Sequence, residues 1–398
     1  MRDTLFISDL RDARGAAIDL LIAGGRIAAV TPAGSTSSDM PGLAGKGRLL
    51  LPALVEAHCH FDKTLWGQPW RANSAGLTLR DYIDNERRIL RGLDVPIAAR
   101  AGRLIEHCIA KGSLHFRCHV DVDPEFGVSH VEAMLALRET YRDVITMEFV
   151  AFPQTGLLIR PGTLGVMEAA LKLGVEHVGG LDPAGIDNDP IRHLEAIFDL
   201  AGRYGRGIDI HLHDKSELGL WQIARIADFT EERRYQGKVV ISHAYCLGQA
   251  GPERLARIAA RLAETGISIM TTAPADGPAP PVADLRAAGV NICMGSDGIR
   301  DAWSPFGTGD MLERALFLCL RFDWAKDEEL AMAFDCVTTG GARVLGLASY
   351  GIEVGAPANL ILLPAENIGD AIARRPQDRL VIAQGRIVAE DGRYLAAG

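Results

Sequence analysis

Leu49-Leu50-Leu51-Pro52-Ala53-Leu54-Val55-Glu56-Ala57-His58-Cys59-His60-Phe61-Asp62 couples an apolar run to a pair of histidines. The run Leu49 to Val55 predicts a buried strand. Side chains alternate faces along a strand, so His58 and His60 point one way and Cys59 the other. Two imidazoles on one face, at the exit of a buried strand, can grip one metal ion. A lone histidine there is more often a packed core residue. The pair, and the residues that accompany it downstream, favour the ligand reading.

Outward from this stretch, strand-like runs alternate with amphipathic helical ones. Helical stretches run from Leu79 to Arg91 and from Pro96 to Ala110. Further strands are expected over Leu114–Val120, Val144–Ala151, His177–Leu181, Gly207–His211, Lys238–His243, Ile267–Thr271 and Val290–Gly295. With the opening strand these make eight. Eight alternating βα units suggest a parallel (β/α)8 TIM barrel, with an open doubly wound sheet as the alternative. Polar residues just past many strand ends favour the barrel: His58 and His60, His119 and Asp121, Gln154, Asp182, His211, His243, Asp297. A barrel gathers its strand ends on one rim, where its active sites lie, whereas an open sheet spreads them along a line.

Both chain ends read differently. Leu5–Ile7, Ile18–Ile22 and Arg26–Val30 are short strands, with a hairpin turn at Gly24-Gly25. Ala358–Leu363, Arg379–Ile382 and Gly385–Val388 repeat the style. The expectation is a small discontinuous β-sandwich domain of residues 1–50 plus 346–398, flanking a barrel domain of 51–345.

Composition removes several function classes. The chain has 398 residues, 48% of them hydrophobic and 23% charged, which suits a large globular core. A formal charge of −9 with no long basic run argues against a nucleic-acid surface. A flipped-base deaminase of the zinc type would need a C-x-x-C, and none is present. There is no signal-peptide pattern and no apolar stretch long enough to span a membrane. Seven cysteines without a C-x-x-C pair read as reduced, buried thiols, so a cytoplasmic location is expected.

The rim residues carry the chemistry. His211 ends the fifth strand, His243 the sixth, and Asp297 follows the eighth in Met294-Gly295-Ser296-Asp297. Three imidazoles and one carboxylate suit one divalent ion, zinc or iron(II), with a coordination position left for water.

His58-x-His60, His211, His243 and Asp297, in that order on strands one, five, six and eight, resemble the amidohydrolase superfamily. His119-Val120-Asp121-Val122, Val150-Ala151-Phe152-Pro153-Gln154, Ser242-His243-Ala244 and Trp303-Ser304-Pro305-Phe306-Gly307 bring the resemblance closer to its cytosine deaminase-like branch. It covers nearly the whole chain. It implies His58, His60, His211 and Asp297 as metal ligands. His243 would sit beside the attacking water, Asp297 would take that water's proton, and Gln154 would contact the substrate ring. The fourth-strand lysine that bridges two metals in other branches has no counterpart in Glu176–Leu181, so one metal is expected.

Three departures bear on the substrate. Asp214 stands where cytosine deaminases carry a proton-shuttling glutamate, and it is assigned that acid/base role, with His213 or Glu217 as sharers. Gly298 stands where an acidic residue usually contacts the exocyclic amine. The loop Asp182-Pro183-Ala184-Gly185 lacks the aromatic and acidic pattern of that branch. The candidate substrate contacts are Gln154, His119, Asp182, Gly298 and Trp303. The function expected is deamination of an amino-substituted nitrogen heterocycle other than cytosine. Hydrolysis of a cyclic amide or of an N-alkylamino ring is the alternative, and a non-catalytic ligand-binding relative the third reading. The expected partner is a small molecule, with homo-oligomer formation left open.

Other polar residues take bland readings. His107, His130 and His193 fall in helices, and His115 and His177 start strands at the far end of the barrel. For His119 a structural hydrogen bond comes first and substrate contact second. Trp66, Trp70 and Trp303 lie in rim loops, as a lid or as packing. Asp62 and Lys63 either pair with each other or face substrate, Lys63 suiting an anionic group.

Overall fold

The computed structural model describes residues 4–35 and 42–395. Eight parallel strands follow one another in chain order: Leu54–Cys59, Ser113–Asp121, Thr146–Phe152, His177–Leu181, Gly207–Leu212, Val239–His243, Ser268–Thr271 and Ile292–Met294. The last returns to the first. Asp297 N donates to His58 O at 2.9 Å, and Cys59 and Asp297 form a parallel bridge. Ser296 N donates to Glu56 Oε1 across the same seam at 2.8 Å. A helix follows each strand, from Ile97–Ala110 after the first to Met311–Phe322 after the last. This is the expected (β/α)8 barrel.

The helices start and stop where their sequence dictates. Pro190–Tyr204 is an example: the Asp189 side chain accepts from Arg192 N, Pro190 opens the first turn, and Gly205 ends the helix at φ 64°. Its buried face, including Leu194, Ile197 and Phe198, packs into the main core.

The barrel interior is layered, as such barrels are. At the end away from the rim, Val55, Ala57, Val240, Met270 and Cys293 pack with Ala342 and Leu345. Higher up, the buried Arg117 spans Asp209 at 3.0 Å and Glu148 at 2.5 Å. The histidines lie above this charged layer.

The second sheet takes strands from both chain ends: Thr4–Arg11, Ala17–Ala23, Arg26–Pro32 and Leu43–Pro52, then Leu360–Leu363, Leu380–Ala383, Arg386–Glu390 and Arg393–Tyr394. Its two wings share one apolar cluster, in which Leu20, Ile22 and Ile27 meet Leu360, Leu362 and Ile382. Gly24 and Gly25 both have positive φ, as a tight hairpin turn needs.

One expectation is corrected here. Leu49 to Val55 is not a single strand. Leu43–Pro52 belongs to the second sheet, pairing with Leu360–Leu363, and Leu54–Cys59 is the first barrel strand. Pro52 cannot donate to a continuing ladder. At the joint, Ala53 N bonds Asn359 O and Leu54 N bonds Gly112 O, both at 2.9 Å, so the chain changes sheets within two residues. No helix among the described residues is long and apolar enough to cross a membrane.

Candidate metal centre and its cavity

His58, His60, His211 and Asp297 each offer one ligand atom, and these atoms lie within 4.8 Å of one another. Asp297 Oδ1 is 3.2 Å from His60 Nε2 and 3.6 Å from His58 Nε2, and His211 Nε2 is 3.3 Å from His60 Nε2. His58 Nε2 has no hydrogen-bond partner among the described residues, although it is buried. An orphaned donor set of this kind fits a divalent cation. Burial, reinforced by neighbouring positive charge, pushes His60 down to about 4 and His211 well below the usual histidine range. Neutral imidazoles are the form that ligates. Burial works against the charge on Asp297, yet the histidine contacts outweigh it and hold the carboxyl well below its usual range.

His58 is fixed from behind. Its Nδ1 lies 3.0 Å from Ser242 Oγ, which donates to Asp209 Oδ1 at 2.7 Å. This chain orients the ring and leaves Nε2 for the metal. Asp209 also closes a buried triad with His58 and His119, but its Oδ2 already pairs with Arg117 at 3.0 Å. A guanidinium there opposes a second cation. His119 is wholly buried beneath the ligands, 3.9 Å from the His58 ring, and lies off the cavity wall.

Local backbone strain aims the remaining groups. Adjacent residues in a strand face opposite ways, and Ser242 points into the barrel. His243 follows at φ 71° and Ala244 at φ 46°, which breaks the alternation. The His243 ring thereby lies 5.1–5.2 Å from those of His58 and His211. Asp297 has φ 62° and Asp182 φ 34°. Gly295 permits the seam: a Cβ there would meet His58 Cβ and O at 2.5 Å.

Above the ligands opens a cavity of about 910 Å³. His60, His211 and Asp297 form its floor, with Lys63, Gln154, His213, Gly298, Asp301 and Trp303 on its inner walls. Phe306, Phe317 and Leu320 make an apolar outer wall. Lys63 Nζ donates to Gln154 Oε1 at 2.8 Å and lies 3.3 Å from Asp121 and 3.5 Å from Glu86. Burial opposes its charge, but Asp121 and Glu86 raise its pKa above the usual lysine value. Asp62 does not pair with Lys63; its Oδ2 takes His130 Nδ1 at 2.9 Å and Asp121 N at 3.1 Å. Trp303 Nε1 donates to Glu86 Oε2 at 2.6 Å, and its ring stacks on Tyr82. Trp66 packs on His107, and Trp70 is 70% exposed; neither lines the cavity.

The largest departure from expectation concerns Asp214. Its Oδ2 accepts from Gly185 N and Gln222 Nε2, both at 2.9 Å, and it is absent from the cavity wall. His213 stands there instead, stacked on His243 at 4.4 Å between centroids. Strand alternation is the cause: Asp209, His211 and His213 face inward, and Asp214 faces the other way. Asp182 is buried behind them. Its Oδ1 accepts from the backbone of His213 and Asp214, and its Oδ2 lies 2.7 Å from His213 Nδ1. Asp182 therefore positions His213 and does not line the cavity. Ser242, Asp209 and Asp301 were not singled out in the sequence. The period-two pattern through Asp209 and His211 was the available signal for Asp209.

A parallel barrel with a histidine-carboxylate centre at its C-terminal rim defines a metal-dependent hydrolase scaffold. A family model described as the amidohydrolase family matches residues 98–389. The chain is 34% identical over 362 residues to an N-isopropylammelide isopropyl amidohydrolase of Pseudomonas sp. (strain ADP), covering 87% of each chain. The structure of an N-isopropylammelide isopropylaminohydrolase from Burkholderia multivorans superposes with a TM-score of 0.95 at 40% identity, over 99% of this chain and 100% of that one. A 5-methylcytosine deaminase from Klebsiella pneumoniae matches with a TM-score of 0.85 at 28% identity, over 97% of both. The chain belongs to the amidohydrolase family. It is a hydrolase acting on carbon–nitrogen bonds other than peptide bonds.

Proposed function

We propose that the protein holds one divalent metal ion and displaces an amine from an alkylamino-substituted, oxo-bearing nitrogen heterocycle of the triazine class. The observation that carries this reading is the convergence of His58, His60, His211 and Asp297 at the base of a cavity whose wall holds His213, with Asp182 paired to it from behind. When bound, a divalent ion supplies Lewis acidity and makes water acidic enough to attack near neutral pH.

The chain's own residues do the rest. Asp297 has Oδ1 against two histidines, which leaves Oδ2 to take the proton of the attacking water. Water oxygen bonds to the ring carbon, and the bond from that carbon to the exocyclic nitrogen breaks. His213, as the imidazolium that Asp182 favours through Nδ1, gives the proton on its other nitrogen to the leaving nitrogen. The resemblance gave Asp214 the related work of relaying a proton to the ring nitrogen. His243, fully buried behind the cavity lining, stacks on His213 and supports its ring. Gln154 and Trp303 line the ring's berth.

Release of an alkylamine is favoured over release of ammonia. A cavity of about 910 Å³ is large for one bare ring, and Phe306, Phe317 and Leu320 suit an apolar N-substituent. The relatives named for N-isopropylammelide support this. Zinc or iron(II) both suit the ligand set. Seven buried free thiols suit a reducing cytoplasmic setting.

The test is product analysis with metal-loaded protein on N-isopropylammelide, ammelide, 5-methylcytosine and pterin. Alkylamine from the first substrate, well above ammonia from the others, is the expected result. No amine and no ammonia from any of them would overturn the reading.

A further inference from the structure

Gly298 leaves a space beside Asp297, and Asp301 fills it. A Cβ at position 298 would lie 2.0 Å from Asp301 Oδ2 and 2.7 Å from its Cγ. The carboxylate is held firmly. Its Oδ1 accepts from Trp303 N at 2.8 Å and Ser304 N at 2.9 Å, and Asp301 N donates to Ser304 O at 3.0 Å. Oδ1 is thus committed to the turn, and Asp301 lines the cavity. Gln154 is oriented by a separate contact. Lys63 has only donors to offer, so the 2.8 Å bond to Lys63 Nζ fixes Gln154 Oε1 and leaves its amide N–H for a ligand.

We infer that Asp301 Oδ2 is a specificity-determining acceptor, brought beside Asp297 from further along the chain because Gly298 has no side chain to exclude it. With Gln154 as donor and Asp301 as acceptor, the inner cavity selects a ring that presents both a carbonyl oxygen and a ring N–H. A lactam edge, –CO–NH–, supplies both. Rings whose nitrogens are all acceptors leave the Asp301 carboxylate facing a lone pair, a penalty that such sites use for discrimination. This assignment deepens the proposed function and rests on its oxo-bearing ring.

The rival account is that Asp301 only shapes the turn at Trp303. Asp301→Asn separates the two. Asparagine keeps the Oδ1 that caps the turn and replaces the cavity-facing acceptor with a donor. Uracil is a suitable probe: it carries the lactam edge, is neutral at pH 7.5 and has no amine to lose. Calorimetric titration of metal-loaded wild type is expected to show binding. Asp301→Asn should weaken it at least tenfold at equal metal content and equal melting temperature. Gly298→Ala, which drives the carboxylate from its place, should do the same. Equal uracil affinity in wild type and Asp301→Asn overturns the inference, and so does absence of uracil binding to wild type. Failure of the proposed function reads out separately, as no amine released from the alkylamino ring.

Discussion

Asp182 Oδ2 lies 2.7 Å from His213 Nδ1, and the imidazole so held stacks on His243, 5.9 Å from the ring of His211. Burial alone would lower the pKa of His213, but Asp182 outweighs it and raises it. The pair therefore favours an imidazole that carries a proton to give.

The first prediction compares His213 with Asp214. His213→Asn should cut kcat by about 10²- to 10⁴-fold, the range of a lost general acid. Metal content should not change, because His213 is not among the converging ligands. Asp214→Asn keeps an acceptor for Gly185 N and Gln222, so kcat should stay within about threefold of wild type, since Asp214 does no acid–base chemistry in the proposed reaction. Steady-state kinetics with metal analysis on both variants decides the matter. A severe loss in Asp214→Asn with none in His213→Asn would reverse the assignment.

The second prediction concerns the support behind His58. Ser242→Ala removes the hydroxyl that joins His58 Nδ1 to Asp209 without adding bulk. Loss of such a partner weakens metal binding about 10- to 100-fold. Competition against a chelator of known affinity measures this. Activity should return when metal is in excess, which a misfolded variant would not show.

The third prediction is a pH effect far from the cavity. His115 is buried at the start of the second barrel strand, and neither ring nitrogen has a hydrogen-bond partner among the described residues. Burial pushes its pKa down from 6.5 to about 4. Its contribution to stability is therefore complete above pH 6.5 and is lost as pH falls toward 4, because the unfolded chain takes up the proton first. The loss is on the order of 3 kcal/mol. His115→Leu should flatten the acid limb of stability against pH, measured by urea unfolding of both proteins at pH 7.5 and pH 5. Parallel limbs for the two proteins would refute the account.

These predictions mark what the residues disclosed and what they hid. The barrel was legible because polar residues recur past seven of the eight strand ends at βα spacing, and only a closed rim gathers them. His58 and His60 were legible as a pair through alternation. The same alternation, carried from Asp209 through His211, puts His213 inside and Asp214 outside, so the geometry at the fifth strand's end was also within reach. The resemblance to the cytosine deaminase-like branch drew attention to Asp214 instead. The break at Pro52 was hidden because seven apolar residues in a row look alike whichever sheet they serve. Asp301 had no local signal at all. It occupies the space at Gly298 through a turn closed by Trp303 and Ser304, and no period in the sequence connects those positions.

The last prediction tests the seam that joins the metal ligands to the fold. Gly295 lies where the last strand meets the first. A Cβ there would come within 2.5 Å of His58 Cβ, 2.5 Å of His58 O and 2.7 Å of His58 N. These are mostly backbone atoms of a buried strand, so relief requires the strands to part. Parting them strains the bond from Asp297 N to His58 O and the bond from Ser296 N to Glu56. Glu56 is itself finely placed: burial pushes its carboxyl up to about 7, and the Ser296 contacts oppose that rise. Gly295→Ala should therefore cost about 1–3 kcal/mol as an overpacked core site. It should also lower metal affinity, since His58 and Asp297 sit on opposite sides of the seam. Gly289→Ala is the control, at a positive-φ glycine whose nearest neighbour to an added Cβ is a side chain at 3.7 Å. It should lose some stability and keep its metal. A Gly295→Ala protein with wild-type metal affinity would show that the ligand geometry does not depend on how tightly the barrel closes.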